Sequence, residues 1–346
     1  MRGQMRIFGT TVACVALSAF AFAQTLFENF EAFNQGVLAG QGGWYNPVPA
    51  SSLDWFVYNY GSNSLGIGPN PNGQNQMIAA RKEGTLFPRT ERNFNWSARE
   101  TWLISYDVYV GFDGTVGDGY NYDNIGSFSL QPSGSAQYFI DLFQWVTPTT
   151  DLQLGNPNDG WRATWVVGRL DDSGAPPLSR GWFVSYQPPN PFHGLQINKW
   201  YRRFVAFTFN GTDFRGEPAS FLVKVGIRDL DTGQTNVAIV QPTQDFQLWY
   251  LIRPGGSSTL PTALRYFVGG GTGANNGNIL AVDNLQITGF SYGDVNMDGC
   301  VDDADLLAVL FAFGNTGSFL AEDTNGDGTV DDADLLTVLF AFGEGC

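Results

Sequence analysis

The chain has 346 residues, of which 33 are acidic and 18 basic, giving a formal net charge of −15. Sparse Lys and Arg in an acidic chain exclude nucleic acid as an expected partner, because a phosphate backbone demands clustered cations. Hydrophobic residues make up 43% of the chain, which is enough for a substantial buried core.

The first 23 residues have the pattern of a secretory signal peptide. Arg2 and Arg6 precede an apolar run over 7–20, and Ala21-Phe22-Ala23 follows as a small-residue cleavage site. We therefore expect cleavage near Ala23 and a secreted, extracellular or cell-surface protein. The apolar run is too short for a transmembrane helix, and we expect no membrane span elsewhere.

Residues 24–290 show the pattern of one β-domain. Short segments that alternate apolar and polar residues are separated by clusters of Gly, Pro, Asn and Asp, which predicts antiparallel strands packed as a sandwich. The clearest predicted strands are Trp102–Val110, Tyr138–Phe143, Ala163–Val167, Gly181–Tyr186, Trp200–Phe209, Ser220–Ile227 and Ile279–Thr288.

Two stretches of this domain resemble a known fold family. INKWYRRFVAFTFNG (197–211) and the closing AVDNLQITGF (281–290) are similar to strands of concanavalin A/laminin G-like jelly-roll sandwiches. The resemblance implies a jelly-roll fold that hosts lectins, carbohydrate-binding modules and glycoside hydrolases alike. It implies a fold more than an activity.

A polysaccharide is the ligand class that this domain favours. Sugar faces stack on aromatic rings, and Trp161, which follows the loop sequence NPNDG, is the candidate stacking platform. The alternative is that Trp161 is a core residue of an aromatic-rich sandwich.

Catalysis has no supporting motif, and we assign no catalytic residue. Sandwich glycosidases of this type usually carry a Glu-x-Asp-x-x-Glu run, which is absent from the sequence, and the single histidine, His193, lies in a Pro-rich segment. A divergent O-glycosyl hydrolase or polysaccharide lyase remains the alternative function.

The tail, residues 291–346, contains one motif twice: DVNMDGCVDDADLL from Asp294 and DTNGDGTVDDADLL from Asp323, 29 residues later. Each copy has the oxygen-ligand spacing of an EF-hand loop, with a turn Gly at position 6. The predicted ligands of two Ca²⁺ ions are Asp294, Asn296, Asp298, Asp302, Asp305 and the Cys300 carbonyl in loop 1, and Asp323, Asn325, Asp327, Asp331, Asp334 and the Thr329 carbonyl in loop 2. The alternative is a pair of acidic turns that cap helices.

A loop followed by one helix, duplicated, with Asp at position 12, resembles the type I dockerin module. The resemblance implies a small all-α, EF-hand-like domain that docks onto a cohesin-like partner. The positions matching the family's recognition residues are Asp303, Ala304, Asp332 and Ala333.

Two cysteines, Cys300 and Cys346, remain after loss of the signal peptide, and both lie in the tail. An even pair in an exported protein favours a disulfide. Two free thiols or an intermolecular bridge are the alternatives.

These patterns predict a secreted two-module protein, in which a β-sandwich recognises carbohydrate or another surface ligand and a dockerin-like module attaches it to a partner. A polysaccharide-degrading enzyme is the first alternative. The second is an exported structural protein whose tail folds onto its own sandwich.

Overall fold

The computed structural model describes residues 26–94, 101–114, 124–131, 139–145, 160–167, 181–182, 194–212, 218–240, 263–269, 277–317 and 320–346. The predicted signal peptide and His193 lie outside these residues.

Two β-sheets form the body of the protein. Sheet A contains β1 (Leu26–Glu28), β2 (Gly36–Val37), β5 (Phe56–Asn59), β6 (Gln76–Arg81), β8 (Thr101–Phe112), β13 (Lys199–Thr212), β14 (Pro218–Asp229), β15 (Thr235–Val240) and β17 (Asn278–Gly289). Sheet B contains β3 (Trp44–Tyr45), β4 (Ser52–Leu53), β7 (Phe87–Asn93), β9 (Asn124–Gln131), β10 (Phe139–Trp145), β11 (Trp161–Val167), β12 (Gly181–Trp182) and β16 (Ala263–Val268).

The strand order is β15-β14-β13-β8-β17-β6-β5-β2 in sheet A and β12-β11-β10-β9-β16-β7-β3 in sheet B. The pairings are antiparallel except that of β4 with β7. Each predicted strand overlaps an observed one, so the mainly β, antiparallel prediction is confirmed.

The core lies between the sheets because alternate residues of each strand face inward. On β8, Tyr106 and Val108 are fully buried in this core. The Tyr106 ring lies 5.1 Å from that of Phe128 on β9 and 5.6 Å from that of Tyr266 on β16, measured between centroids. These ring contacts join the two sheets into a sandwich.

The intervening residues of β8, including Leu103, Ser105, Asp107 and Tyr109, face away from this core. At one end of this outer face, Tyr109 packs in a smaller apolar cluster with Ile67 from the 60–75 segment. At the other end lies the tail.

The tail contains two ten-residue helices, α1 (Asp303–Ala312) and α2 (Asp332–Ala341). Each helix is followed by a glycine with positive φ, 86° at Gly314 and 87° at Gly343, as expected at C′. The Gly314 N–H donates to the Val330 carbonyl (2.8 Å) and the Gly343 N–H to the Val301 carbonyl (2.8 Å). The two halves are therefore joined reciprocally, as the duplication predicts.

Neither helix is long and apolar enough to cross a membrane, and the described part of the chain contains no other helix that is. Cys300 and Cys346 form a disulfide with a Cα separation of 4.6 Å. The predicted intramolecular bond is confirmed.

Candidate calcium loops and the cleft between the modules

Loop 1 buries the carboxylates at its first and last positions. The side chain of Asp294 accepts hydrogen bonds from the N–H groups of Asp298 (3.1 Å) and Gly299 (3.0 Å). Asp305 is fully buried and accepts from Val295 (2.7 Å) and from two further backbone N–H groups, of residues 296 and 302. These amides fix the direction of both carboxylates.

Loop 2 repeats this arrangement. Asp323 accepts from the N–H groups of Asp327 (3.0 Å) and Gly328 (2.8 Å). Fully buried Asp334 accepts from Thr324 (2.7 Å) and from the N–H groups of residues 325 and 331. The turn glycines have positive φ, 103° at Gly299 and 93° at Gly328.

The position-9 carboxylates begin the helices. Asp302 caps α1 through Ala304 N–H and Asp331 caps α2 through Ala333 N–H, both at 2.8 Å. Each forms a capping box with the position-12 carboxylate three residues later. The alternative interpretation, that the motif caps helices, therefore describes part of what these residues do.

The donor set fits calcium, since each loop offers carboxylate, amide and carbonyl oxygens at the spacing a hard cation requires. Within the described ranges, however, no three Asp, Glu, His or Cys side chains are gathered into a formed cation site. Calcium binding therefore stays a prediction that the ligand chemistry supports.

Electrostatics distinguish the two loops. Burial raises the pKa of Asp294 to about 6, and the charge of Lys224 opposes this shift. Burial also raises the pKa of Asp323, where the Gly328 amide opposes the shift and the charge of Asp334 adds to it.

Lys224 reaches loop 1 from the sandwich. It lies on β14, is fully buried, and its Nζ donates to the Asp294 carbonyl oxygen at 2.7 Å. Its Nζ also lies 5.8 Å from the centroid of the Phe290 ring. Burial lowers the pKa of Lys224 to about 8, while the charges of Asp294, Asp305 and Glu322 act in the opposite direction. The neighbouring carboxylates therefore oppose the loss of the lysine's proton. Sequence reasoning missed it.

Met297 is the second contact between loop 1 and the sandwich. It is 1% exposed and packs with Phe204 and Ala206 on the outer face of sheet A. Its φ is 59°, whereas the matching position of loop 2 is Gly326 with φ 75°. The sequence contained one signal for this contact, because the two copies of the motif differ at this position. Met297 of loop 1 corresponds to Gly326 of loop 2.

A cavity of about 710 Å³ lies beside these contacts, between sheet A and loop 1. Its lining includes the polar side chains of Arg202, Arg228, Gln286 and Asp298 and the Phe204 ring. This cavity is called the interdomain cleft below.

Arg202, which lines the interdomain cleft, is held by a buried polar network. Arg202 donates to Asp107 through Nε (2.6 Å) and Nη2 (3.0 Å). Asn70 Nδ2 donates to Asp107 (2.8 Å) and lies 3.3 Å from Asp283, which also accepts from the Tyr60 hydroxyl at 2.8 Å. Burial raises the pKa of Asp283 to about 7, and the neighbouring charge of Asp107 acts in the same direction. Fully buried Asp107 fixes the guanidinium of Arg202, and Asn70 connects Asp107 to Asp283.

The predicted stacking platform is not at the surface. Trp161 is fully buried, its Nε1 donates to the Gln196 carbonyl (3.0 Å), and its ring packs edge-on against Phe143 and Tyr201. That prediction is wrong because β11 turns the indole into the core between the sheets. Three further tryptophans are buried in the same core: Trp44, Trp55 and Trp145.

The predicted recognition positions are exposed. Asp303, Ala304, Asp332 and Ala333 lie in the first turns of the two helices. Large apolar side chains are also exposed, in matched pairs from the two copies: Leu307 and Leu336, Leu310 and Leu339, Phe311 and Phe340, Phe313 and Phe342. Phe311 and Phe340 are the extreme pair, at 85% and 84% exposed.

No known family model matches the chain, and no curated protein matches it. Among solved structures, it is similar to the carbohydrate recognition domain of Emp47p, with 11% identity, a TM-score of 0.38, and coverage of 79% of this chain and 99% of that one. Lectin II from Ulex europaeus is similar at 11% identity and a TM-score of 0.37, with coverage of 78% and 99%. Alginate lyase vAL-1 from Chlorella virus is similar at 12% identity and a TM-score of 0.35, with coverage of 63% and 86%. Likeness at this level carries no argument about ligand or activity, and the sandwich assignment rests on the two sheets themselves.

Proposed function

We propose that the chain is an exported protein in which a saccharide-binding β-sandwich is joined to a dockerin-like module that binds two Ca²⁺ ions. One observation carries the calcium part. Two separate loops bury the carboxylates at positions 1 and 12 and orient them with backbone amides in the same way. An acidic turn without a bound ion would not require the same arrangement of carboxylates and amides in both copies.

Calcium counting tests this part of the proposal. The chain from Gln24 onward, dialysed against Ca²⁺ and assayed by atomic absorption, should hold two ions. Replacing both position-12 carboxylates (Asp305→Asn with Asp334→Asn) should abolish binding, because a neutral amide replaces the last carboxylate of each site. The matched control, Asp303→Asn with Asp332→Asn on the exposed first turns, should retain two ions. Fewer than two ions in the unmodified chain would contradict the proposal.

The interdomain cleft is the proposed saccharide site, in place of Trp161. Its guanidinium, amide and hydroxyl donors beside the Phe204 ring suit a ligand rich in hydroxyl oxygens. Titration with a panel of neutral and uronate oligosaccharides should find a ligand whose affinity falls about tenfold or more in Gln286→Ala or Arg228→Met, since each removes a direct donor. The exposed residue Gln196 supplies the control, Gln196→Ala, which should bind normally.

The same panel addresses the enzyme alternative. Product release from an oligosaccharide, abolished by Glu344→Gln at the edge of the cleft, would show a hydrolase or lyase activity. The proposal of saccharide binding alone would then be replaced by the enzyme alternative. Binding without turnover supports the lectin-like proposal.

The paired apolar side chains of α1 and α2 support the attachment role. Exposed large apolar side chains on a small module are typical of a protein-binding face, and the proposed occupant is an exported cohesin-like domain. Binding of the chain to a purified cohesin, lost in Phe311→Asp with Phe340→Asp, is the expected result. Absence of binding would contradict the attachment role and would leave the proposals for calcium and saccharide binding unchanged.

A second candidate function is structural. The contact of Lys224 with loop 1 and that of Met297 with the outer face of sheet A favour a tail that stabilises its own sandwich. Calcium should then slow proteolysis of the sandwich in the intact chain.

A further inference from the structure

We infer that the sandwich makes the two calcium loops unequal: Lys224 and Arg228 of β14 place positive charge against loop 1 and lower its calcium affinity relative to loop 2. The inference rests on the calcium binding proposed above and adds how that binding is tuned.

The first supporting observation is the position of Lys224. Its ammonium is fully buried, with Nζ 2.7 Å from the carbonyl oxygen of Asp294, which is the residue at position 1 of loop 1. A buried charge is screened much less by solvent and salt than a surface charge. A divalent cation entering loop 1 must therefore approach a fixed positive charge.

Arg228 adds to the same field. Its Nε donates to Thr235 Oγ1 at 2.8 Å and its guanidinium lies 5.3 Å from the Phe204 ring centroid, so the group is held in place. It lines the interdomain cleft together with Asp294 and Asp298, both predicted ligands of loop 1.

Met297 keeps loop 1 within reach of these cations. Its side chain fills the space beside Phe204, and Gly226 leaves room for it: a Cβ at that glycine would lie 3.4 Å from the Met297 sulfur. A non-glycine residue at φ 59° costs roughly 1–2 kcal/mol, and burial of the thioether side chain offsets that cost. Gly326 at the same position of loop 2 has no side chain with which to anchor that loop.

The experiment isolates each site in the intact chain. Asp334→Asn leaves loop 1 as the functional site and Asp305→Asn leaves loop 2. Lys224→Met is then added to each, because Met has a similar length and suits the apolar contact with Phe290. Calcium affinity is measured by calorimetry at pH 7.

In the Asp334→Asn background, Lys224→Met should strengthen calcium binding about tenfold, as expected for removal of a nearby unit charge. In the Asp305→Asn background it should change affinity by less than about twofold. No change or weaker binding at loop 1, or equal strengthening at both loops, would overturn the inference.

Met297→Gly provides a second route if Lys224→Met disturbs folding. Added to Asp334→Asn, it should release loop 1 from the sandwich, raise hydrogen exchange on β13 near Phe204, and strengthen calcium binding. Faster exchange with unchanged affinity would overturn the inference. Absence of calcium binding in the unmodified chain is a different result, because it removes the proposed function itself.

Discussion

The two candidate calcium loops share a predicted ligand pattern but not an environment. Loop 1 contacts the sandwich through Met297, and its Asp294 carbonyl accepts a hydrogen bond from buried Lys224. The position of loop 2 that matches Met297 is Gly326. Both loops nevertheless hold their position-1 and position-12 carboxylates with equivalent amides. The local fold of a loop follows from its own spacing, while its charge environment is set by a distant part of the chain.

The largest effect should come from Asp305→Ala and Asp334→Ala in calcium-free buffer. Each change orphans three backbone N–H groups, so the free energy of unfolding of the tail should fall by about 3 kcal/mol. Asp305→Ala should be the worse of the two because loop 1 also anchors the tail on sheet A.

Helix content followed by circular dichroism during heating measures this loss. Asp303→Ala, which removes an exposed carboxylate on α1, is the control. Its free energy of unfolding should lie within about 0.5 kcal/mol of that of the unmodified chain. Equal and negligible losses for Asp305→Ala and Asp334→Ala would contradict the arrangement described for both loops.

The disulfide should have the next largest effect. Cys300 and Cys346 are 46 residues apart, and replacing both with Ser should lower stability by about 2–4 kcal/mol. Loop 1 should be loosened more than loop 2, because the disulfide holds the C-terminal residues against loop 1. At this contact the Val301 N–H donates to the Glu344 carbonyl. Hydrogen exchange measured separately on the two loops distinguishes them, and equal loosening of both would count against this asymmetry.

Exchanging the position-4 residues should have a smaller effect. Met297→Gly loses buried apolar contacts but relieves the backbone, for a net loss of about 1–2 kcal/mol. Gly326→Met places a non-glycine residue at φ 75°. The resulting backbone strain should lower the free energy of unfolding by about 1 kcal/mol. Urea unfolding of the whole chain measures both. A stabilised Met297→Gly variant would show that the side chain does not anchor loop 1.

The last effect concerns pH and the Asp283 carboxyl in the network that holds Arg202. The folded pKa of Asp283 is raised to about 7, so the folded state binds the proton more tightly than the unfolded state does. Stability should therefore rise as pH falls through 7, by about 1.4 kcal/mol between pH 8 and 6. Asp283→Asn should remove this dependence. The variant and the unmodified chain are titrated under the same conditions, and an unchanged pH slope in the variant would assign it to another group.

The two loop–helix repeats of the tail could be predicted from the sequence because their signals are local. Asp294, the turn at Gly299 and Asp305 lie within one loop of the motif, and the second copy repeats them. The strands could also be predicted, since the apolar–polar alternation in 102–110 is typical of a β-strand.

What the sequence could not predict depends on the topology. Trp161 follows a loop signal, yet the direction in which β11 turns its indole is set by pairing with β10. Lys224 lies 70 residues from Asp294, and a lysine within an alternating strand gives no sign that it is buried. The joining of Asp107 and Asp283 through Asn70 likewise requires three distant segments to meet.

Calorimetric titration of the unmodified chain with Ca²⁺ tests the central claim most directly. Two ions that bind with two distinct affinities are predicted, the tighter at loop 2 and the weaker at loop 1. Two equivalent sites, or no binding, would contradict it.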